Sequence, residues 1–422
     1  MNSARRIAVL LVLVLFPLTG LCDDPVIAIR CGRLLDPSTG ALSAGVIIVV
    51  QGERIVSTGK DVPPGAKVID LSQYNVLPGL IDSHTHVLLQ PEDERGAPPV
   101  VMKSQSYRTV QGVAAAKKDL EAGFTTMRDL DSEGAGFADV AIRDAINKGI
   151  IPGPRLLVST LALSITAGHM NLHGVNPDIA LPDPSALVDS RDAMIAEVRR
   201  QVKYGADWIK LYATGTLRHI DPKTLESVSQ VSLDDVRAVV AEAKRWRKDV
   251  SAHAYGGEGA KNAILGGVRS IEHGMLMDDE TIGLLIQQGT FWCPTLSVYI
   301  PEIPEDDTDV RRRIVAHHRE VFRKAMTRGV KIAFGTDVGA YEHGTSIREF
   351  ERMVDYGMKP IDAIRSATLQ GADLLRMDQE IGTIEPGKFA DIIAVAGNPL
   401  EDIRALRKVV FVMKAGQVFK SP

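Results

Sequence analysis

Short apolar runs alternate with amphipathic segments through the middle of the chain. Helical patterns with charged faces separate most of these runs, as at residues 191–204, 233–248 and 311–328. Strand-length runs that alternate with helices are typical of an α/β protein, and eight such repeats over about 300 residues predict a (β/α)8 TIM barrel. The eight runs lie at residues 76–81, 125–127, 155–159, 208–212, 250–252, 270–271, 290–293 and 330–334.

Both ends of the chain have a different pattern, with β-branched runs separated by Gly and Asp turns. Near the N-terminus these runs cover residues 25–30, 45–51 and 54–57. The C-terminal part adds residues 391–396 and 408–414, followed by a Lys-Ala-Gly-Gln hairpin turn. We therefore expect a small β-sandwich domain built from residues 23–75 and 380–422, with the barrel at residues 76–379.

The first 22 residues have the features of a signal peptide. Arg5 and Arg6 precede an apolar stretch at residues 7–16, and Gly20 and Cys22 occupy the small-residue positions before Asp23. The apolar stretch is too short to span a bilayer, so no stable membrane anchor is expected. The sequence predicts an exported protein, periplasmic or secreted, once the signal peptide has been removed.

Composition narrows the range of partners. The 422-residue chain is 45% hydrophobic, which is enough for a large core, and its net charge is −4. Long runs of Lys and Arg are lacking in the sequence, so nucleic-acid binding is not expected. After signal cleavage the remaining cysteines, Cys31 and Cys293, are predicted to be buried free thiols rather than a disulfide framework.

Five potential metal ligands end or follow the predicted strands. They are four histidines and one carboxylate, which suit a hard or borderline divalent metal. Because the C-terminal ends of barrel strands form the catalytic face, we expect these side chains to meet there. The five residues are His84, His86, His253, His273 and Asp337.

Lys210 lies in the middle of this ligand set along the chain. An ammonium group has no lone pair and cannot bind a metal, so Lys210 joins the site only as a carbamate formed with CO2. The two carbamate oxygens can bridge two metals about 3.5–4 Å apart. The pattern therefore predicts a two-metal hydrolase in which a bridging hydroxide attacks the substrate. Asp337 acts as the general base, and no Ser or Cys nucleophile is needed.

The same segments resemble the amidohydrolase superfamily of binuclear metal hydrolases. The likeness covers nearly the whole mature chain and is carried by several motifs. They are VLPGLIDSHTH at 76–86, GFTTMRD at 123–129, GPR at 153–155, KLYATG at 210–215, GTD at 335–337 and GTIEPGKFAD at 382–391. The resemblance implies that His84, His86 and Asp337 hold one zinc ion, that His253 and His273 hold a second, and that carboxylated Lys210 bridges them.

Within the superfamily, the chain is most similar to the dipeptidase and carboxypeptidase branch near imidazolonepropionase. That branch includes Xaa-Pro dipeptidases and hydrolases of N-acyl amino acids such as ochratoxin A, and it recognises a free α-carboxylate. Tyr212 matches its Lys-x-Tyr pattern and is expected to contact that carboxylate. His169 matches a branch histidine, with His173 as a rival. His343 lies in a segment shared with the branch and is expected to face the substrate or to support a ligand. The alternative for each of these histidines is a structural role that fixes a loop turn. Arg218 is a candidate carboxylate clamp by its charge alone.

These observations favour a zinc-dependent amidohydrolase that releases a C-terminal amino acid from a small-molecule amide with a free carboxylate. Several alternatives remain: a cyclic amide hydrolase or a mononuclear deaminase, although the latter needs no ligand lysine, and a phosphotriester hydrolase, which uses the same six ligands. A non-catalytic scaffold would be expected to lack a ligand, and all six residues are present. Metal identity and homo-oligomerisation are left open by the sequence.

Overall fold

The structure is a computed structural model that describes residues 25–95, 98–299 and 309–422. It is mixed α/β, as the alternating pattern predicts. The predicted signal peptide lies outside these ranges, so export stays a prediction. Within the described ranges, no helix is both long and apolar enough to cross a membrane.

The strands occur at both ends and between the helices. They are β1 (Val26–Leu35), β2 (Leu42–Ala44), β3 (Ile47–Gln51), β4 (Arg54–Gly59), β5 (Lys67–Pro78), β6 (Leu80–Thr85), β7 (Phe124–Asp129), β8 (Arg155–Val158), β9 (Leu163–Ser164), β10 (Ala186–Leu187), β11 (Trp208–Tyr212), β12 (Asp249–Gly256), β13 (Ser270–Leu276), β14 (Phe291–Cys293), β15 (Ile392–Val395), β16 (Val409–Lys414) and β17 (Gln417–Lys420).

The helices occupy most of the segments between the parallel strands. They are α1 (Pro99–Met102), α2 (Gln105–Glu121), α3 (Ala138–Asn147), α4 (Arg191–Lys203), α5 (Leu233–Arg245), α6 (Gly257–Leu265), α7 (Asp279–Gln288), α8 (Asp309–Thr327), α9 (Ile347–Asp355), α10 (Pro360–Arg365) and α11 (Gly371–Leu374). Short 3₁₀ segments lie at Pro91–Arg95, Leu217–His219 and Ile403–Arg407, and a π-helical turn lies at Ser366–Gln370.

The two ends of the chain build one sheet. Its order is β17-β16-β15-β5-β1-β3-β4, with β2 on the edge of β1. Strand β15 runs antiparallel to β5, so the C-terminal segment pairs directly with the N-terminal one. The hairpin between β16 and β17 turns at Ala415 and Gly416, both with positive φ, as the predicted turn requires. The proposed domain boundaries themselves stay a prediction.

The middle of the chain forms two parallel sheets, with orders β6-β7-β8 and β10-β9-β11-β12-β13-β14. Backbone hydrogen bonds connect their edges. The amide of Asp207, just before β11, donates to the Val158 carbonyl of β8 at 2.8 Å. On the other side, Trp292 of β14 donates to Lys331, and Ser83 of β6 donates to Phe334, each at 2.9 Å. The segment at 330–338 therefore lies between β14 and β6.

Two of the eight predicted strands differ from expectation. The run at 76–81 is divided, because residues up to Pro78 belong to the terminal sheet and β6 begins at Leu80. The run at 330–334 forms no regular strand and makes one isolated bridge, through Ile332, and a second isolated bridge follows at Val338. Its extended course ends at Asp337, whose φ of 62° lies in the left-handed region and cannot continue a strand.

The core is large, and both described cysteines lie inside it. Cys31 and Cys293 are buried free thiols, as predicted. Burial raises the pKa of Cys31 to about 12, so this thiol stays protonated and unreactive.

Gly79 lies between β5 of the terminal sheet and β6 of the parallel sheet. A substitution at Gly79 therefore tests the division of the run at 76–81. A Cβ atom at this position would lie 2.1 Å from Thr125 Oγ1 and 2.8 Å from Thr125 Cβ. Rotation of the Thr125 side chain cannot relieve the second contact, so we expect Gly79→Ala to lower the free energy of unfolding by about 1–3 kcal/mol. Urea denaturation followed by circular dichroism measures this loss.

Gly59 is the matched control, because a Cβ atom there meets nothing within 4 Å. We expect Gly59→Ala to stay within about 0.5 kcal/mol of the parent protein. Equal stability of the two variants would contradict the close approach at Gly79.

Candidate metal centre and active site

The six predicted ligand residues line one cavity of about 490 Å³. Strand pairing brings them to a common level. Tyr212, two residues after Lys210, pairs with His253 across β11 and β12. Ala254 pairs with His273 across β12 and β13. Because neighbouring parallel strands end at the same edge, residues distant in sequence share one site.

His84, His86 and Asp337 form the tightest group. Their ligand atoms all lie within 4.8 Å of one another. The Nε2 atoms of the two histidines are 3.3 Å apart. Asp337 Oδ1 lies 3.3 Å from His84 Nε2 and 3.0 Å from His86 Nε2. Three ligand atoms that converge in this way can hold a metal ion.

Lys210 and His253 have buried polar atoms without a partner. Lys210 is 1% exposed, and its Nζ makes no hydrogen bond to any residue in the described ranges. The same is true of His253 Nε2. Buried polar groups are normally hydrogen-bonded, and an unpartnered amine and imidazole nitrogen are the donor types that a metal centre uses. Both atoms belong to residues that line the cavity.

His273 connects these two groups. Its ring centroid is 4.5 Å from that of His253 and 4.9 Å from that of His84. His273 Nδ1 lies 2.8 Å from Thr295 Oγ1, a hydrogen bond that fixes the ring, and 3.9 Å from Asp337 Oδ2. The four histidines and Asp337 thus form one continuous cluster.

A buried ion pair holds His84 in place. His84 Nδ1 is 2.9 Å from Glu272 Oε2, and Arg128 Nη2 donates to Glu272 Oε1 at 2.9 Å. Ser251 and Ser270 also donate to Glu272 Oε1, at 2.7 and 2.5 Å. A carboxylate that binds the remote nitrogen of a histidine fixes its orientation and makes it a better metal ligand.

Asp82 fixes the position of Asp337. Thr336 Oγ1 donates to Asp82 Oδ2 at 2.6 Å, and the Thr336 amide donates to Asp82 Oδ1 at 3.1 Å. The Asp337 amide donates to the His84 carbonyl at 2.8 Å. These bonds over-determine the turn, which is how a residue persists in the left-handed conformation.

The protonation states in this cluster differ sharply. Burial and the nearby charge of Lys210 lower the pKa of His84 to about 4. Burial also opposes protonation of His86, but its hydrogen bond to Asp337 and the charge of Glu133 outweigh this and raise its pKa to about 10. Burial lowers the pKa of Lys210, which favours the neutral amine.

The donor set suits a pair of divalent metals. Histidine nitrogens and a carboxylate are borderline-to-hard ligands, and Asp337 is held ionised because the neighbouring histidines lower its pKa against the effect of burial. The unpartnered Lys210 Nζ belongs to a residue that lines the same cavity. Metal-dependent hydrolytic chemistry is what this arrangement can support.

Three of the four predicted substrate-binding residues line the cavity: His169, Tyr212 and Arg218. The His169 ring lies 4.0 Å from His253 and 4.2 Å from Tyr212, centroid to centroid. The Tyr212 hydroxyl donates to Asp131 Oδ2 at 2.6 Å. The single hydroxyl proton of Tyr212 is therefore already donated to Asp131. Tyr212 has no second proton to donate to a substrate carboxylate, which disfavours the expected contact.

His343 lies outside this cavity. Its Nδ1 donates to Asp119 Oδ2 at 2.8 Å, and its Nε2 lies 3.1 Å from the Leu89 carbonyl. Both ring nitrogens are thus used to fix the loop after Asp337, and His343 lines a different surface depression. The rival residue His173 instead contacts the His219 ring, with centroids 5.5 Å apart.

Sequence reasoning missed several residues that line the cavity. Glu133, Tyr255, Tyr299 and Arg311 all contribute side chains to its wall. Tyr255 follows His253 by two residues on β12, so the alternation of side chains could have identified it. Glu133 lies in an irregular turn after β7 and Arg311 on α8, where no periodicity indicates the cavity.

A comparison with models of protein families identifies the family in which this arrangement belongs. Residues 75–419 match the model of the amidohydrolase family. The chain belongs to that family, and it is a hydrolase that acts on C–N bonds by metal-dependent amide hydrolysis.

Individual relatives support the same placement. The crystal structure of an Xaa-Pro dipeptidase with bound methionine in its active site is 35% identical, with a TM-score of 0.85, and the match covers 94% of this chain and all of the other. Ochratoxinase of Aspergillus niger is 28% identical over 95% of this chain and 88% of its own length. Imidazolonepropionase of Streptomyces coelicolor is 26% identical over 85% and 88%.

We expect His343 to stabilise the fold in a pH-dependent way. Burial opposes its charged form, but the charge of Asp119 outweighs burial and raises its pKa above 6.5. A raised folded-state pKa gives stability that is complete below the unfolded value and is lost as pH rises through the folded value. His343→Asn should therefore cost about 1–3 kcal/mol near pH 6, and less near pH 9, by urea denaturation.

Asp119→Asn is the control, because it should remove the same pH dependence. Substrate KM should change little in His343→Asn, since the side chain lies outside the cavity. A large KM increase with unchanged stability would contradict this role for His343.

Proposed function

We propose that the protein hydrolyses amides that carry a free α-carboxylate and releases a C-terminal amino acid. Dipeptides and N-acyl amino acids are the candidate substrates, with ochratoxin A among the latter. The observation behind this proposal is the convergence of six ligand-type residues on a cavity that also contains the guanidinium groups of Arg218 and Arg311. Arginine is well suited to bind a carboxylate through two parallel hydrogen bonds.

We also infer that the parallel strands close into a (β/α)8 barrel beside a terminal β-sandwich. The backbone hydrogen bonds of Asp207, Trp292 and Ser83 support closure, because each joins the edges of segments that would otherwise stay open. In such a barrel the ligand residues occupy the catalytic face.

Two zinc ions are the metals we propose. His84, His86 and Asp337 would hold one, and His253 and His273 the other. Lys210 would bridge them as a carbamate: its Nζ forms a bond to the carbon of CO2 and loses a proton. Only the neutral amine can do this, and burial favours that form. The metals, when bound, supply a water of lowered pKa and polarise the scissile carbonyl.

Asp337 is the proposed proton carrier. Its carboxylate accepts a proton from the attacking water as the new C–O bond forms. It then donates that proton to the amide nitrogen as the C–N bond breaks, which yields a carboxylic acid and an amine. Its ionised state and its fixed backbone, held through Thr336 and Asp82, suit this role.

The named relatives agree with a substrate that ends in an amino acid. One is an Xaa-Pro dipeptidase whose active site contains methionine, a free amino acid. Another is an ochratoxinase, matched over nearly the whole chain. We take Arg218 and Arg311, which both line the cavity, as the groups that bind the carboxylate.

The first test is a panel of dipeptides and N-acyl amino acids, including an aryl-acyl phenylalanine, each with its methyl ester. With zinc-loaded enzyme, we expect the free acids to be cleaved and the esters to react about 10-fold more slowly, because a methyl ester cannot form charge-assisted hydrogen bonds with Arg218 and Arg311. Mass spectrometry detects the released amino acid.

Arg218→Gln is the matched variant for this test. It should slow cleavage of the acids and leave the esters nearly unchanged. Absence of cleavage on every amide would contradict the proposal and shift weight to the cyclic amide, deaminase and phosphotriester alternatives.

The second test removes the bridging group. We expect Lys210→Ala to lose bound metal and its turnover to fall by more than roughly 100-fold. A loss of that size exceeds what is typical when only a residue that orients a metal ligand is changed. A small carboxylate such as propionate should partly restore both, because it supplies two oxygens in the vacated space. Metal content by mass spectrometry and turnover are the measurements.

Lys248→Ala is the control, since Lys248 immediately precedes β12, at the opposite end of that strand from the ligand His253. Near-normal metal content and activity in Lys210→Ala would refute the carbamate model.

A further inference from the structure

The turn after β7 places a carboxylate in the cavity wall. Glu133 is 4% exposed and lines the cavity, and its Oε1 lies 3.4 Å from His86 Nδ1. Two residues of this turn have positive φ without being glycine: Asp131 at 142° and Glu133 at 52°. Such conformations are strained and persist only where the surroundings enforce them, often at binding sites.

Arg108 enforces this conformation. It is 1% exposed and donates to the backbone carbonyls of Leu88, Ser132 and Glu133, the last at 2.7 Å. The Glu133 amide in turn donates to Asp131 Oδ1 at 3.0 Å. A buried guanidinium thus fixes the main chain of the turn, and the Glu133 side chain is positioned by a rigid frame.

Tyr212 adds an acceptor on the same side. Because its hydroxyl proton is donated to Asp131, the Tyr212 oxygen can only accept a hydrogen bond from a ligand. The turn and Tyr212 therefore present acceptors and negative charge, which suit a cationic donor.

Positive charge lies in a different part of the wall. Arg218 belongs to the loop after β11, and Arg311 to the first turn of α8. The two elements are tied together, because Arg313 donates to the carbonyls of Pro222 and Lys223 at 2.7 and 3.0 Å. Glu133, by contrast, is next to His86. The cavity wall thus carries positive and negative charge on different elements of the fold.

We propose that the turn at residues 131–133 binds the α-ammonium group of the substrate, with Glu133 as its counter-charge. This inference rests on the proposed function and narrows it: the preferred substrate is a zwitterionic dipeptide rather than an N-acyl amino acid. Glu133 is the residue that determines this choice.

The geometry of a dipeptide fits this assignment. Its α-amine nitrogen is only about 2.5 Å from the scissile carbonyl carbon, across two covalent bonds. When that carbon lies at Asp337, the amine must lie close by. The imidazole of His86 bridges Asp337 and Glu133, with contacts of 3.0 and 3.4 Å on its two nitrogens. The imidazole of His86 therefore separates the Glu133 carboxylate from Asp337, beside which the reacting carbon lies.

Orientation of His86 is the alternative role for Glu133. The following experiment separates this role from binding of the substrate amine. We would measure kcat/KM of zinc-loaded enzyme for an L-aminoacyl dipeptide and for the same dipeptide acetylated at its amine. We expect the parent enzyme to prefer the free amine. Glu133→Gln should reduce kcat/KM for the free dipeptide at least about 30-fold, and leave the acetylated one unchanged or improved.

Metal content is measured in parallel, and Glu92→Gln is the control, an exposed glutamate paired with Lys103. Equal losses on both substrates would overturn the inference and make Glu133 a positioning residue for His86. A parent enzyme that prefers the acetylated substrate would overturn the inference and leave the proposed function intact. Cleavage of neither substrate would count against the proposed function itself.

Discussion

The buried ion pair between Arg128 and Glu272 is the interaction on which the site depends. Both side chains are 0% exposed. Glu272 contacts His84, and Arg128 donates to the Ser83 carbonyl at 2.6 Å and stacks on Trp208, 4.5 Å from its ring. Strands β6, β7, β11 and β13 therefore meet at this pair. Loss of one partner leaves an unpaired buried charge, which typically costs about 3–5 kcal/mol, so the pair fixes strand positions as well as His84.

Next to the strands joined by this ion pair, residues with strained backbone conformations hold the reacting groups in place. His273 and Asp337 have φ values of 71° and 62°, and Glu133 has 52°. Each is held by hydrogen bonds from deeper residues, such as Asp82 beneath the Asp337 turn and Arg108 beneath the Glu133 turn. Strain of this kind is sustained because the core over-determines it. The cavity thus combines a precise ligand cluster with side chains of opposite charge in its wall, which is what recognition of a zwitterion requires.

Much of the fold could be predicted because periodicity reports burial. The alternation of apolar runs and amphipathic segments identified α4, α5 and α8 within a few residues of their bounds. The predicted hairpin at 414–417 followed from turn chemistry. The sequence could not predict that the run at 76–81 is divided between two strands, because the apolar pattern continues across the boundary between the two sheets. Strand pairing reveals that boundary, because residues up to Pro78 pair with β15 and residues from Leu80 pair with β7.

The sequence by itself determined which residues could bind metal, because their chemical types and their places at strand ends are local properties. It also singled out Lys210, because this lysine lies in an apolar strand and, along the chain, among the four histidines and Asp337. Tertiary structure decided what surrounds them. It placed His343 away from the cavity and used the Tyr212 proton on Asp131. It brought Glu133 into the wall from an irregular turn. These outcomes depend on contacts between distant segments, and such contacts leave no periodic signal in a single chain.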